Sequence, residues 1–470
     1  MYWANFLHVY QPPTQKPVWV RRIAEECYRK LFGGLRNVPR ARLTININSI
    51  LCELLEQNEA SDVIAHIKAL LDTGQIELTG SAKYHAFLPL LPESEIRRQI
   101  EINETSLTKY FGNAWKRGGF FSPEMAYSKK VAMVAKEMGY KWIIVDEMAF
   151  PPDKKFSADT LYEIESVPDF YVFFRERNFS FKILSASQLS TLPSILRFLE
   201  PRFKEKNFTI TAMDGETFGH HRPGLENLLF DLLGEPRIEP IMLSDILDKN
   251  PKKEIIAPRE STWASLPKDF TIGEPFLRWH NPENIIQKKQ WELVNLAIKI
   301  VEREGGARSG AGAAETSTAS ATSATSATSA RNLLDSALHS DQFWWASARP
   351  WWSIEMVERG AHDLLGVISA SKSATPEEKS HAENLYKEII YTCFDWQRSG
   401  IVDELAKSEN EEIRERVEEK EQLFVTKKEF EELRDTLNEQ MKLAAETGEY
   451  HRAGMIKDRI RELEEEMKKL

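Results

Sequence analysis

Residues 118–147, GGFFSPEMAYSKKVAMVAKEMGYKWIIVDE, decide the fold. The aromatic-rich GGFFSPEMAY reads as a strand, SKKVAMVAKEMG as a helix ending at the helix-stopping Gly139, and KWIIVDE as a second strand. Strand, helix, strand is the unit of a parallel sheet. Outward from it the same alternation recurs: YWANFLHVY from Tyr2, RLTININSI from Arg42, QIELTGS from Gln75, FYVFF from Phe170 and FTITAMDGE from Phe208 are further strands. Helical patterns from Ser49 and Ser94 stop at Gly74 and Gly112. About seven such repeats in the first ~270 residues predict an α/β fold with a closed or nearly closed barrel rather than an open sheet.

Beyond residue 280 the strand signal ends, and a helical subdomain is expected over 280–400 after a barrel of residues 1–279. Residues 305–330, GGARSGAGAAETSTASATSATSATSA, interrupt it; their small polar composition predicts a disordered surface loop. Residues 401–470 are rich in charge. Phe430, Leu433, Leu437, Met441 and Ala444 form one apolar stripe, and Ala453, Ile456, Ile460, Leu463, Met467 and Leu470 a second. With Thr447-Gly448-Glu449 as the turn, they predict an antiparallel helical hairpin or coiled coil.

Composition narrows the function. Hydrophobic residues make up 42% of the 470-residue chain, enough for a sizeable core. Acidic residues outnumber basic ones by 72 to 62, and a net charge of -10 offers no general attraction for nucleic acid or anionic membranes. No apolar run is long enough for a membrane span, and the amino terminus lacks the pattern of a secretory signal, so a soluble, cytoplasmic protein is expected. Three scattered cysteines, Cys27, Cys52 and Cys393, without a CxxC pair, argue against a disulfide framework or structural zinc site.

A barrel enzyme carries its reacting groups at the carboxyl ends of its strands. There the sequence places His8-Val9-Tyr10-Gln11-Pro12, Glu77, Ser122-Pro123-Glu124, Asp146-Glu147 and Asp214-Gly215-Glu216. Converging carboxylates suit a retaining glycosidase, in which one ionised group attacks the anomeric carbon and a second, protonated, donates to the leaving oxygen. Glu124, after an apolar strand and a proline, suits the nucleophile. Asp214 suits the acid, its pKa raised by neighbouring Glu216. A single carboxylate at a strand end is more often a helix cap or a solvated charge, so neither residue decides the matter alone.

The motifs together resemble glycoside hydrolase family 57. HVYQPP (8–13), GQIELTGSAKYHAFLPLL (74–91), GFFSPEMAYS (119–128) and MDGETFGHHRPG (213–224) are similar to its first four sequence regions in order, and SDQFWW (340–345) resembles the fifth. The resemblance implies an incomplete (β/α)7 barrel followed by helices, and a retaining α-glucan-active enzyme: an α-amylase-like hydrolase, a 4-α-glucanotransferase or a branching enzyme. By position, Glu124 matches the nucleophile and Asp214 the acid/base. His8, Gln11, Glu77, Glu216, Asp341 and Trp344 match the substrate-binding set. The sequence departs from commoner members in SPEMAYS and in HVYQP, which leaves the subgroup and its sugar preference open. LNEQMKLAAETGEYHRAGMIKDRIRELE (437–464) resembles the helical hairpin shared by UvrB and UvrC, and a dimerisation or protein-docking role through 409–470 is expected.

Neighbouring His220 and His221 point different ways and read as hydrogen-bonding residues; no metal or cofactor is expected. Trp344, Trp345, Trp351 and Trp352 suit either sugar stacking or packing. Asp146 and Glu147 match no catalytic position and read as structural. A zinc-dependent mannosidase or deacetylase is the alternative chemistry, but Tyr10 stands where an HxD ligand pair needs an acid. A non-catalytic glucan-binding protein is the third reading, and the presence of both Glu124 and Asp214 argues against it.

Overall fold

The computed structural model describes residues 1–184, 190–205, 207–249, 251–310, 330–407, 409 and 426–468, with backbone alone at 305–310, 466 and 467. Ten strands are described: β1 (Tyr2–Val9), β2 (Leu43–Ile47), β3 (Ile76–Thr79), β4 (Gly119–Phe120), β5 (Trp142–Asp146), β6 (Thr160–Ile164), β7 (Tyr171–Arg175), β8 (Phe208–Asp214), β9 (Glu239–Ile241) and β10 (Lys252–Ile256). One sheet runs β3-β2-β1-β8, with β9 also on β1; the other runs β10-β6-β7-β5-β4. All pairings are parallel except β6 with β7.

Two thin seams join the sheets into a curled barrel. Gly80 bridges Phe120 between β3 and β4, and the Glu176 N–H beyond β7 donates to Ile210 O of β8 at 2.8 Å. The ring is therefore β1-β2-β3-β4-β5-β7-β8, seven strands and incompletely closed, as the seven sequence runs predict. β6, β9 and β10 are additions to it.

Strand alternation sorts the side chains. Ala4 and Phe6 of β1, Trp142 and Ile144 of β5, Phe173 of β7 and Ala212 of β8 share one interior cluster with Phe121 and Met125. Their neighbours Trp3, Leu7 and Val9, or Ile143 and Val145, face the outer helices instead. Strands buried on both faces need continuous apolar runs, which is why they read so clearly. Gly119 lets β4 and β5 meet: a Cβ there would lie 2.0 Å from the Trp142 ring.

Helices Ile285–Gly310, Ala330–Ala337, Asp341–Trp345, Ile354–Ala370 and Pro376–Ser399 pack on one side of the barrel through a shared apolar cluster that includes Val131, Val145, Val294, Leu334, Leu364 and Leu385. The first reaches Gly310 and the second starts at Ala330, so helix occupies the first residues of the expected 305–330 loop. Residues 311–329 of that loop lie outside the described residues. The carboxyl-terminal helices Lys427–Glu446 and Tyr450–Met467 form the expected hairpin, with Gly448 at φ +82° in the turn. Phe430, Leu437, Ile456, Ile460 and Leu463 close onto one another between the two helices. The hairpin then docks on the barrel of its own chain, with Arg197 donating to Glu429 at 2.8 Å. All three cysteines are free and buried. Among the described residues, no helix is long and apolar enough to cross a membrane.

Candidate active site

Register places His8 of β1, Asn46 of β2, Thr79 of β3 and Asp214 of β8 at one level, the carboxyl-end rim. His8 Nδ1 lies 2.8 Å from Asn46 Oδ1, and its Nε2 lies 3.1 Å from Nε2 of His85. Burial pulls His8 down to about 4, against Asn46 and Asp341, and pulls His85 well below the usual histidine range. Two neutral imidazoles can share one proton across that contact, one donating and one accepting. The Tyr10 ring stacks on His85 with centroids 4.0 Å apart.

Glu124 follows β4 on a strained turn. Its φ is +63° and that of Met125 +49°, a left-handed conformation costly for residues with a Cβ. The turn aims the carboxylate into the mouth, where the indole N–H of Trp263 donates to Oε2 at 3.0 Å and the Ser340 hydroxyl to Oε1 at 3.1 Å. His85 Nδ1 is 3.7 Å from the same Oε1. Burial, then the charges of Asp341 and Asp214, push Glu124 up to about 8 against those two donors.

Asp214 ends β8 with its side chain open to water, although protein walls crowd around it. That enclosure raises it to about 6, and the buried Arg175 guanidinium at the end of β7 works the other way. The expected elevation is present, but its cause differs from the expectation. Burial is the leading cause for Asp214, and the mutual repulsion of the two carboxyls falls chiefly on Glu216, which burial and the Asp214 charge push up to about 7. Glu216 is turned away from the opening, accepting from the Tyr28 hydroxyl and, at 3.0 Å, from the Tyr10 N–H.

The helical region delivers Asp341 to the same mouth. A bridge between Ala86 and His339 and a 3.0 Å bond from Ser340 N–H to His85 O fix its approach. Asp341 Oδ2 accepts from the Tyr10 hydroxyl at 2.7 Å and lies 3.1 Å from His339 Nδ1. Burial opposes its ionisation, yet His339, His85 and Tyr10 hold it below its usual value.

The structure thus brings together His8, Glu124, Asp214, Glu216 and Asp341. Three other residues expected to bind substrate are placed differently. Glu77 sits two residues before Thr79, about 6.5 Å nearer the amino-terminal end of its strand. There it accepts from Thr44 Oγ1 at 2.7 Å and Ser244 N–H at 3.1 Å, and burial pushes its carboxyl up. Gln11 is buried, donating to Tyr28 OH at 3.1 Å and accepting from Gln15 at 2.8 Å, so both ends of its amide serve the protein. Trp344 stacks on Trp279 at 5.0 Å, half-buried against the helical core. Asp146 is buried against Arg177 at 2.7 Å.

Sequence reasoning missed Arg175, His85, Trp263 and Ser340. Arg175 directly follows the FYVFF run, His85 lies inside the second motif and Ser340 opens the fifth, so all three carried a signal. Trp263 belongs to no motif. Among the described residues, no group of three or more His, Cys, Asp or Glu side chains is arranged to hold a metal ion. A cavity of about 610 Å³ lined by Phe150, Phe156, Phe174 and Phe208 lies at the β7–β8 seam, and neither Glu124 nor Asp214 lines it.

The chain belongs to glycosyl hydrolase family 57, whose family model matches residues 8–259. An alpha-amylase of Pyrococcus horikoshii is 26% identical over 149 residues, 31% of this chain and 23% of that one. The curated relatives are matched over only 23% to 31% of their own length. Among solved structures, a 4-alpha-glucanotransferase from Thermococcus litoralis shares the fold with a TM-score of 0.59 at 16% identity, covering 78% of this chain and 59% of that one. A family 57 branching enzyme from Thermococcus kodakaraensis gives 0.58 at 16% identity, over 84% and 96%.

Proposed function

We propose that the protein acts on α-1,4 glucosidic bonds with retention, as a hydrolase or 4-α-glucanotransferase. The observation that carries this reading is the pairing of Glu124 and Asp214 across one barrel mouth, each sensing a different partner: indole and hydroxyl donors for Glu124, a guanidinium for Asp214. In the first step a Glu124 oxygen bonds to the anomeric carbon, the glucosidic C–O bond breaks, and Asp214 gives its proton to the departing oxygen. In the second, the Asp214 carboxylate removes a proton from water or a sugar hydroxyl, whose oxygen attacks the anomeric carbon and releases Glu124. Asp341 and His8 are the polar groups beside the subsite.

The protonation order has a consequence. With Glu124 at about 8 and Asp214 at about 6, the reactive form, Glu124 ionised and Asp214 protonated, is the minor arrangement. The two groups titrate as a pair, because the Asp214 charge is one of the causes raising Glu124 and protonating Asp214 eases Glu124 ionisation, and kcat/KM would plateau between about pH 6 and pH 8. Water, a glucan 4-hydroxyl or a 6-hydroxyl as acceptor gives hydrolysis, transfer or branching respectively.

The test is incubation of the protein, Glu124→Gln and Asp214→Asn with maltoheptaose and amylose, products being resolved by chain length and linkage. The proposal expects turnover in the parent alone. Inertness of the parent on both glucans would overturn it. Association of residues 409–470 with a second copy or another protein is a separate proposal. Because Phe430, Leu437, Ile456, Ile460 and Leu463 are closed within the hairpin, a partner would meet other surface, where Leu443 and Tyr450 are exposed.

A further inference from the structure

Residues 215–224 lead from β8 to helix Leu225–Gly234 and carry Glu216 and His220. The carboxyl-terminal hairpin grips the far end of this loop. Arg452 of its second helix donates to Glu226 at 2.6 Å and to the carbonyl of Glu26 at 3.4 Å. Two turns on, Arg459 donates to the carbonyl of Pro223 at 2.6 Å. Both arginines are less than a tenth exposed. From the first helix, Gln440 packs on Gly224, whose φ is +87° and where a Cβ would lie 2.4 Å from the Gln440 Oε1.

The other edge of the loop is held by segment Ala24–Tyr28. The Glu26 carboxylate lies 2.6 Å from His220 Nδ1, the Cys27 thiol donates to Gly215 O at 3.3 Å, and the Tyr28 hydroxyl donates to Glu216. Glu26 joins the two edges, its carbonyl bound by Arg452 and its carboxylate by His220. Asp214 and Glu216 enter this clamped stretch at its beginning.

We propose that Arg452 and Arg459 are positioning residues and that the hairpin is a clamp setting the loop that carries Glu216 and follows Asp214. The catalytic half of this inference rests on the glycosidase reading above; the clamp itself stands on the contacts. A buried guanidinium holding a loop carbonyl fixes backbone, and sub-ångström placement of an acid controls its proton transfer.

The experiment uses the full chain, with Arg459→Met, Arg452→Met and Arg452→Lys, and Arg197→Ala as a control that breaks the Glu429 ion pair at the start of the hairpin. Backbone hydrogen exchange is read by mass spectrometry on peptides covering 215–224 and 24–28, beside kcat and KM on maltoheptaose. The two Met variants should speed exchange in 215–224 by at least about fivefold, with the barrel strands unchanged. They should lower kcat about tenfold with KM moved less than about twofold. Arg452→Lys should recover part of both, and Arg197→Ala should change neither. Arg459→Met leaves no carboxylate unpaired, so it carries the test where Arg452→Met fails to fold. Unchanged exchange in 215–224 overturns the clamp whatever the enzyme's substrate. Faster exchange with unchanged kcat overturns the positioning role, and a parent inert on glucans overturns the glycosidase reading while the exchange result still decides the clamp.

Discussion

The indole N–H of Trp263 donates to Glu124 Oε2 at 3.0 Å, and Trp263 N–H also caps the Glu124 carbonyl at 3.1 Å. The first bond stabilises the carboxylate form, so losing it raises the Glu124 pKa further. Trp263→Phe should lower kcat/KM by about tenfold or more on the acid side, since a hydrogen bond to a charged group is worth about 1.5–3 kcal/mol. The loss should shrink as pH passes the parent's value of about 8 and approaches the variant's, which lies roughly one to two units higher. Profiles at pH 5.5 and 9 check this; a variant-to-parent ratio that is flat with pH would contradict it.

Asp341→Asn should act with the opposite sign. The Asp341 charge is the leading electrostatic contribution raising Glu124, so its removal lowers that pKa. The variant-to-parent ratio of kcat/KM should therefore fall as pH rises, whatever the uniform loss from weaker sugar binding. A ratio that climbs with pH would count against the coupling.

Stability should respond to Glu124 as well. Its carboxyl is raised from an ordinary 4.5 to about 8 in the fold, so ionising it favours the unfolded chain and parent stability declines as pH rises between those values. Glu124→Gln removes this penalty. At about 1.4 kcal/mol per pKa unit, even part of the shift is measurable. Thermal melts should show the variant's Tm advantage widening from pH 5 to pH 8, and a constant difference would refute the linkage.

Much of this was legible in the sequence because the seven ring strands are buried on both faces. Continuous apolar runs such as Trp142 to Val145 leave little choice of conformation. β6, β9 and β10 were not legible: TLYEI, EPI and KKEII are short or charged additions, and Lys252 and Lys253 of β10 are exposed. The carboxylates at strand ends were readable, but not their electrostatics. Asp214 owes its elevation chiefly to enclosure by residues far away in the chain, rather than to adjacent Glu216. No glycine announces the left-handed turn at Glu124, and Trp263 reaches the site only through tertiary folding. Motif matching placed Glu77 with the subsite because spacing does not reveal height along a strand.

Glu77→Gln separates motif from geometry. Gln keeps an acceptor for Thr44 and Ser244, and the side chain sits below the rim, so kcat/KM should stay within about threefold of the parent, under about 0.7 kcal/mol in the barrier. A hundredfold loss with an unchanged melting temperature would put Glu77 back at the sugar.

The most direct measurement is to trap the glycosyl-enzyme with a 5-fluoro-α-maltosyl fluoride and map the adduct by peptide mass spectrometry. One glycosyl group on the Glu124 carboxylate, absent from Glu124→Gln, is the expected result. Turnover of α-glucans with the label on another residue, or with products of inverted anomeric configuration, would contradict the assignment of Glu124 as nucleophile.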